Sequence, residues 1–127
     1  MIFGYKNLKV YTAAKELVVL VYAALSKFPH HEQYALCDQL RRSAISVPSN
    51  IAEGMGRKSC KEQVHFIEIA YGSLMEVDCQ MSIAMDLRYI DSKEYEIFEN
   101  KAIEVAKMLS GLHSKRIIGP NPTNSNL

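Results

Sequence analysis

Apolar residues recur every three or four positions along most of the chain, the spacing of amphipathic helices rather than strands. Tyr11, Ala14, Leu17, Val21, Ala24 and Phe28 mark a first helix over about 8–28. Its apolar arc is wide, because Val19, Leu20 and Tyr22 also lie outside the narrow seam, and a helix apolar on more than one side is built to bury more than one side. Pro29 ends it, since the residue before a proline is pushed out of helical geometry. A second helix is expected over about 32–54, with Leu36, Leu40, Ala44, Val47 and Ile51 as its seam and Gly54 or Gly56 as a left-handed cap. Ser59-x-x-Glu62 is a capping box that opens a third helix, about 60–89, with Ile67, Ala70, Leu74, Val77, Met81 and Ala84 in register. Asp91-x-x-Glu94 opens a fourth, about 92–117, whose seam runs Tyr95, Phe98, Ala102, Val105, Leu109 and Leu112.

Four helices joined by short turns define an all-α fold, an antiparallel up-down-up-down four-helix bundle over residues 1–118. Residues 119–127, with Pro120 and Pro122 and no periodicity, read as a disordered tail. No stretch alternates as a strand would.

The second helix carries a second stripe. Gln39, Ser43, Ser46, Asn50, Glu53 and Arg57 also step by three or four, so they flank the apolar seam instead of opposing it. Uncharged Ser and Asn beside a seam imply a closely approached neighbour. Pro48 lies in the middle of this helix and removes one hydrogen bond, a cost of about 3 kcal/mol in an ordinary helix interior. Either the helix breaks at Val47 or it continues with a kink. The apolar rhythm passes Pro48 in phase, which favours continuation, with Ser46, Ser49 or Asn50 bonding the freed backbone groups.

An antiparallel pairing about a turn near residue 57 sets Ser46 level with Glu68 and Arg42 level with Gly72. Arg42 is then expected to bond Glu76 or Glu68 across the helices. Gly72 in a helix interior points to close backbone approach by a neighbour.

Composition changes this picture little. The chain has 127 residues, 48% apolar and 23% charged, with a net charge of +1. One domain of this size buries roughly two-thirds of its unfolded surface. Charge is uneven: residues 1–61 hold nine Lys or Arg against four Asp or Glu, and residues 62–127 hold six against ten. Such asymmetry reads as complementarity between neighbouring helices. Cys37, Cys60 and Cys79 are odd in number and lack CxxC spacing, as free thiols in a reducing compartment do. No signal pattern opens the chain and the apolar run Leu17–Leu25 is too short to cross a bilayer, so a cytoplasmic protein with no membrane partner is expected.

Candidate chemistry is sparse. A bundle di-iron site needs Glu-x-x-His on two helices and a Glu from each of the others. Glu62-x-x-His65 supplies one such motif, but the fourth helix offers Ser110-x-x-His113, and Glu62 already serves the capping box. Cys60, at a helix start near Lys58, Lys61 and His65, is the best reactive-thiol candidate. Gly54-Met55-Gly56 lacks the strand and third glycine of a phosphate loop. Arg57, Lys58 and Lys61, with Arg41 and Arg42 behind them, form the one basic concentration, which reads as a solvated turn or a phosphate-contacting patch. No cofactor, metal or catalytic residue is expected.

The stretch Gln39-Leu-Arg-Arg-Ser-Ala-Ile-Ser-Val-Pro-Ser-Asn-Ile-Ala-Glu-Gly54 resembles the signature of four-helix-bundle proteins encoded in intervening sequences of bacterial 23S ribosomal RNA genes. Phe66-Ile-Glu-Ile-Ala-Tyr-Gly-Ser-Leu-Met-Glu76, Leu8-x-Val10 and Phe28-Pro29-x-x-Glu32 fit the same family, and the resemblance covers about residues 5–117. It implies a ring-like homopentamer with no known enzymatic activity, in the bacterial cytoplasm. A related branch, the accessory proteins of diversity-generating retroelements, comprises strongly basic pentamers that bind a reverse transcriptase and nucleic acid; this chain, at +1, departs from them in charge. The expected function is a homo-oligomeric scaffold docking a protein or RNA partner. Arg42, Ser46, Pro48, Asn50, Glu53, Glu68, Gly72 and Glu76 are its expected structural and assembly residues, and Arg41, Arg57, Lys58 and Lys61 its candidate nucleic-acid contacts. The competing readings are a nucleic-acid-binding accessory protein of the retroelement type and a bundle enzyme using metal or Cys60.

Overall fold

The structure, a computed structural model, describes residues 3–118. A single 3-10 turn, Gly4–Asn7, precedes α1 (Lys9–Leu25), and another, His30–Glu32, precedes α2 (Leu36–Met55); α3 (Cys60–Asp86) and α4 (Ser92–Ile118) complete the bundle. The expected tail, 119–127, lies outside the described residues.

Cross-helix pairs fix the directions. Ser43 meets Gln80 and Ser46 meets Ser73, so α2 and α3 run oppositely. Glu68 meets His113 and Asp78 meets Tyr95, which turns α4 against α3. Glu16 meets Lys101 and Lys27 meets Glu94, which turns α1 against α4. The helices therefore alternate up and down, each packed on its sequence neighbours, with α4 closing back onto α1. The expected seams form the core: Leu17, Leu40, Ile51, Leu74, Phe98 and Leu109 have almost no exposed surface. Each such side chain contributes about 1.5–3 kcal/mol through burial.

Helix ends show where local chemistry decides. Ser59 Oγ accepts from the Glu62 amide at 3.1 Å, and Asp91 and Glu94 cap each other's amides at 2.7 and 3.1 Å. Both capping boxes satisfy amides that the first helical turn leaves without partners. The second helix starts at Leu36, not near residue 32, because His30–Glu32 are spent in the 3-10 turn and the Glu32 carboxylate accepts the Leu36 amide at 3.4 Å. The first and third helices stop three residues earlier than expected, at Leu25 and Asp86.

The left-handed cap expected after α2 is found after α3. Gly56 has a right-handed φ of −83°, and α2 closes through tight i→i+3 bonds from Gly56 and Arg57. At the end of α3 the amides of Arg88 and Tyr89 return to the carbonyls of Met85 and Ala84, with Arg88 at φ 65°. This is a Schellman closure with arginine where glycine is usual.

Pro48 does not break α2. The helix is continuous from Leu36 to Met55, and Pro48 is buried within it.

Candidate functional site

The polar stripe of α2 lies against α3. Ser43 Oγ donates to Gln80 Oε1 at 2.7 Å, and Gln80 Nε2 donates to Gln39 Oε1 at 3.5 Å, the outer limit of a hydrogen bond. One level along, the Ser46 and Ser73 hydroxyls share a bond of 2.7 Å. Asn50 Nδ2 donates to the Ser46 carbonyl at 2.8 Å and to its Oγ at 2.9 Å. Ser43, Ser73 and Gln80 are buried, and no described buried side-chain nitrogen or oxygen lacks a partner. Neutral groups seated this way avoid the desolvation penalty of a buried charge. Ser73 and Gln80 are not among the partners expected for the α2 stripe. Their signal was available: they lie seven residues apart on α3, the spacing of Gln39 and Ser46 on α2.

Register accounts for the main correction. Ser46 meets Ser73, not the level of Glu68, a displacement of about one and a half turns along α3. Arg42 does not reach Glu76 or Glu68. It bonds Asp38 one turn back on its own helix at 3.2 Å, and its side chain is 80% exposed. Glu68 pairs instead with His113 of α4 at 2.8 Å, across an open groove lined by Tyr71, Ser110 and Ser114. Glu76 is exposed on the outer face of α3.

The two glycines of interest exchange roles. A Cβ on Gly72 would meet nothing within 4 Å inside the bundle. On Gly54, buried in the last turn of α2, it would stand 2.8 Å from Phe66 Cβ. Close approach of α2 and α3 depends on Gly54.

The basic residues do not gather as one patch. Arg57 bonds Glu53 at 2.9 Å, lies 3.9 Å from Glu62, and stacks on the Phe66 ring at 4.8 Å. Lys58 and Lys61 are exposed beside it. Arg41 sits about four turns away along α2, bonded to the Gln33 carbonyl and near Asp38. Cys60 is half-buried at the first position of α3, Cys37 is buried and Cys79 exposed. Burial pushes the Cys37 thiol pKa up. Among the described residues no three His, Cys, Asp or Glu side chains converge as a metal site.

Charged and phenolic groups tie the rim. Tyr89 donates to Glu32 at 2.7 Å, joining the α3–α4 turn to the α1–α2 link. That bond, with the Leu36 amide and His31, holds the Glu32 carboxyl below its usual range, and the same bond, with partial burial, raises the Tyr89 pKa. Tyr95 is half-buried between Asp78 and Glu99, and partial burial together with those two acceptors raises its pKa. Lys101 bridges Glu16 and Glu104, whose hydrogen bonds raise its pKa.

These features define a class: an all-α up-down bundle whose second helix continues through a buried proline and is joined to the third by a neutral polar ladder. Residues 6–111 match the family model described as 23S rRNA-intervening sequence protein, and the chain belongs to that family. It is also similar to a crystal structure of a protein of unknown function from the S23 ribosomal protein family of Bacteroides thetaiotaomicron. The TM-score is 0.75 at 25% identity, covering 84% of this chain and 99% of the other. No curated protein matches the chain. No helix among the described residues is long and apolar enough to cross a membrane.

Proposed function

We propose that this protein is a non-enzymatic scaffold of the bacterial cytoplasm that assembles with copies of itself, as a homopentamer, and docks a protein or RNA partner. The observation that carries the reading is apolar surface left over once the core is complete. Val19, Ile45, Ile69, Ile83 and Leu87 point outward from α1, α2 and α3, each 38–67% exposed. Exposed apolar side chains on outward helix faces suit protein–protein contact. The opposite charges of the two halves of the chain support contact between unlike faces of identical copies. The polar ladder holds α2 and α3 in one fixed register, as a repeating assembly requires.

Mass in solution tests the reading. Five chains of 14.4 kDa give about 72 kDa. A 14.4-kDa particle at high protein concentration would overturn it. The RNA arm rests on Arg57, Lys58 and Lys61, and is tested by a mobility shift over a salt series. Phosphate contacts lose affinity steeply as salt rises, so binding indifferent to salt would rule them out.

A further inference from the structure

Two outward faces of the bundle carry apolar side chains that the core does not use, and their charges are opposite. One is the groove between α1 and α2, lined by Tyr11, Lys15, Val18, Val19, Ile45 and Pro48. Lys15 stands over the Tyr11 ring, 5.0 Å from its centre, and no carboxylate lines the groove. The other is the outer face of α3. Ile69, Glu76 and Ile83 recur every seven residues, with Gly72 and Cys79 between them, so α3 carries a second heptad seam turned away from the core. Glycine is disfavoured in a helix interior, and nothing inside the bundle requires it at position 72. From Glu62 to Leu87, α3 holds five acidic residues and no Lys or Arg. Neither Lys15 nor Glu76 has an ion-pair partner among the described residues.

The geometry points to the outer face of α3 of one copy seated in the α1–α2 groove of the next, with Glu76 facing Lys15. This rests on the self-assembly reading and names its interface. Heights along the bundle agree. Within one protomer Ser46 is level with Ser73, and Lys15 shares its groove with Pro48 and Ser49, so Lys15 and Gly72 stand at nearly the same height. A rotation axis parallel to the bundles keeps every copy at that height. Gly72 of one copy then meets the Lys15–Pro48 level of its neighbour, where the missing side chain lets the helices close together. Glu76 lies four residues further along, about 6 Å, within reach of a lysine stem. Ile69 and Ile83 flank this centre and cover the exposed Val19 and Ile45. Because the two faces differ, each contact leaves a groove at one end and a seam at the other, and the series ends only when a ring closes.

Charge exchange at two exposed positions tests this without disturbing the core. Lys15→Glu or Glu76→Lys alone places like charges face to face and is expected to raise the concentration at which the assembly dissociates about tenfold or more. The double variant is expected to return to within about threefold of the original protein. In a Cys60→Ser, Tyr22→Cys protein, the new thiol lies seven residues beyond Lys15, just as Cys79 lies seven beyond Gly72. A short bis-maleimide is expected to join them between copies as a ladder of covalent multimers. A multi-copy particle that ignores both charge changes and gives no ladder would overturn this interface while leaving self-assembly standing. A monomeric original protein would overturn both, leaving the two faces to an unlike partner.

Discussion

The α2–α3 edge and the edges made by α4 are held by different physics. Between α2 and α3, neutral hydroxyls and amides are buried and paired, and Gly54 lets the backbones approach until a single methyl group would collide with Phe66. Around α4 the polar ties are mostly charged and at the rim: Glu16 with Lys101, Glu68 with His113, Lys27 with Glu94. Exposed ion pairs contribute about 0–1 kcal/mol and weaken with salt. A buried polar group stranded without its partner costs about 1–3 kcal/mol. The neutral edge thus resists sliding in register, whereas the charged rim tolerates change.

Breaking the close approach should have the largest effect. Gly54→Val places branched carbons against the Phe66 stem, which is anchored to its backbone and has nowhere to swing; a loss of roughly 3 kcal/mol is expected in denaturant melts. A smaller loss, about 1–3 kcal/mol, is expected for Ser43→Ala, which strands the buried Gln80 amide. Adding Gln80→Leu should recover much of it, and a double variant no more stable than the single would show that the ladder is not the source. The smallest effect belongs to the rim. Glu32 has a lowered pKa in the folded state, so its contribution is present above the ordinary value of 4.5 and is lost as pH falls through the folded value. Glu32→Gln should flatten the acid side of the stability curve and also the alkaline side, because the Tyr89 hydroxyl, whose pKa Glu32 raises, contributes stability that is lost as pH rises through its folded value. Parallel curves across the whole pH range would exclude the Tyr89 bond as a contributor.

What could be read from the sequence divides along the same line. Seams, caps and helix count depend on residues three or four apart, and Ser59, Asp91 and the six-residue seam of α4 declare themselves locally. The stripe of α2 was legible as a neighbour-facing surface for the same reason. Its partners were not, because register depends on the path of residues 56–59, and that displacement put Ser73 where Glu68 was expected. Arg42 illustrates the competition: Asp38, one turn back, is always within reach, so the local pair prevails over any partner across the helices. Gly54 and Gly72 cannot be told apart by type, since only the packed structure reveals which of them meets another backbone.

The alternating order of the helices also governs how quickly the chain finds its shape. Three of the four packed edges, α1–α2, α2–α3 and α3–α4, join segments adjacent in the chain, and only α1–α4 requires its distant ends to meet. Chains dominated by such short-range contacts fold in microseconds to milliseconds. The three hairpin-like edges are free to form in any order, while docking of α4 on α1 must wait for a long loop to close.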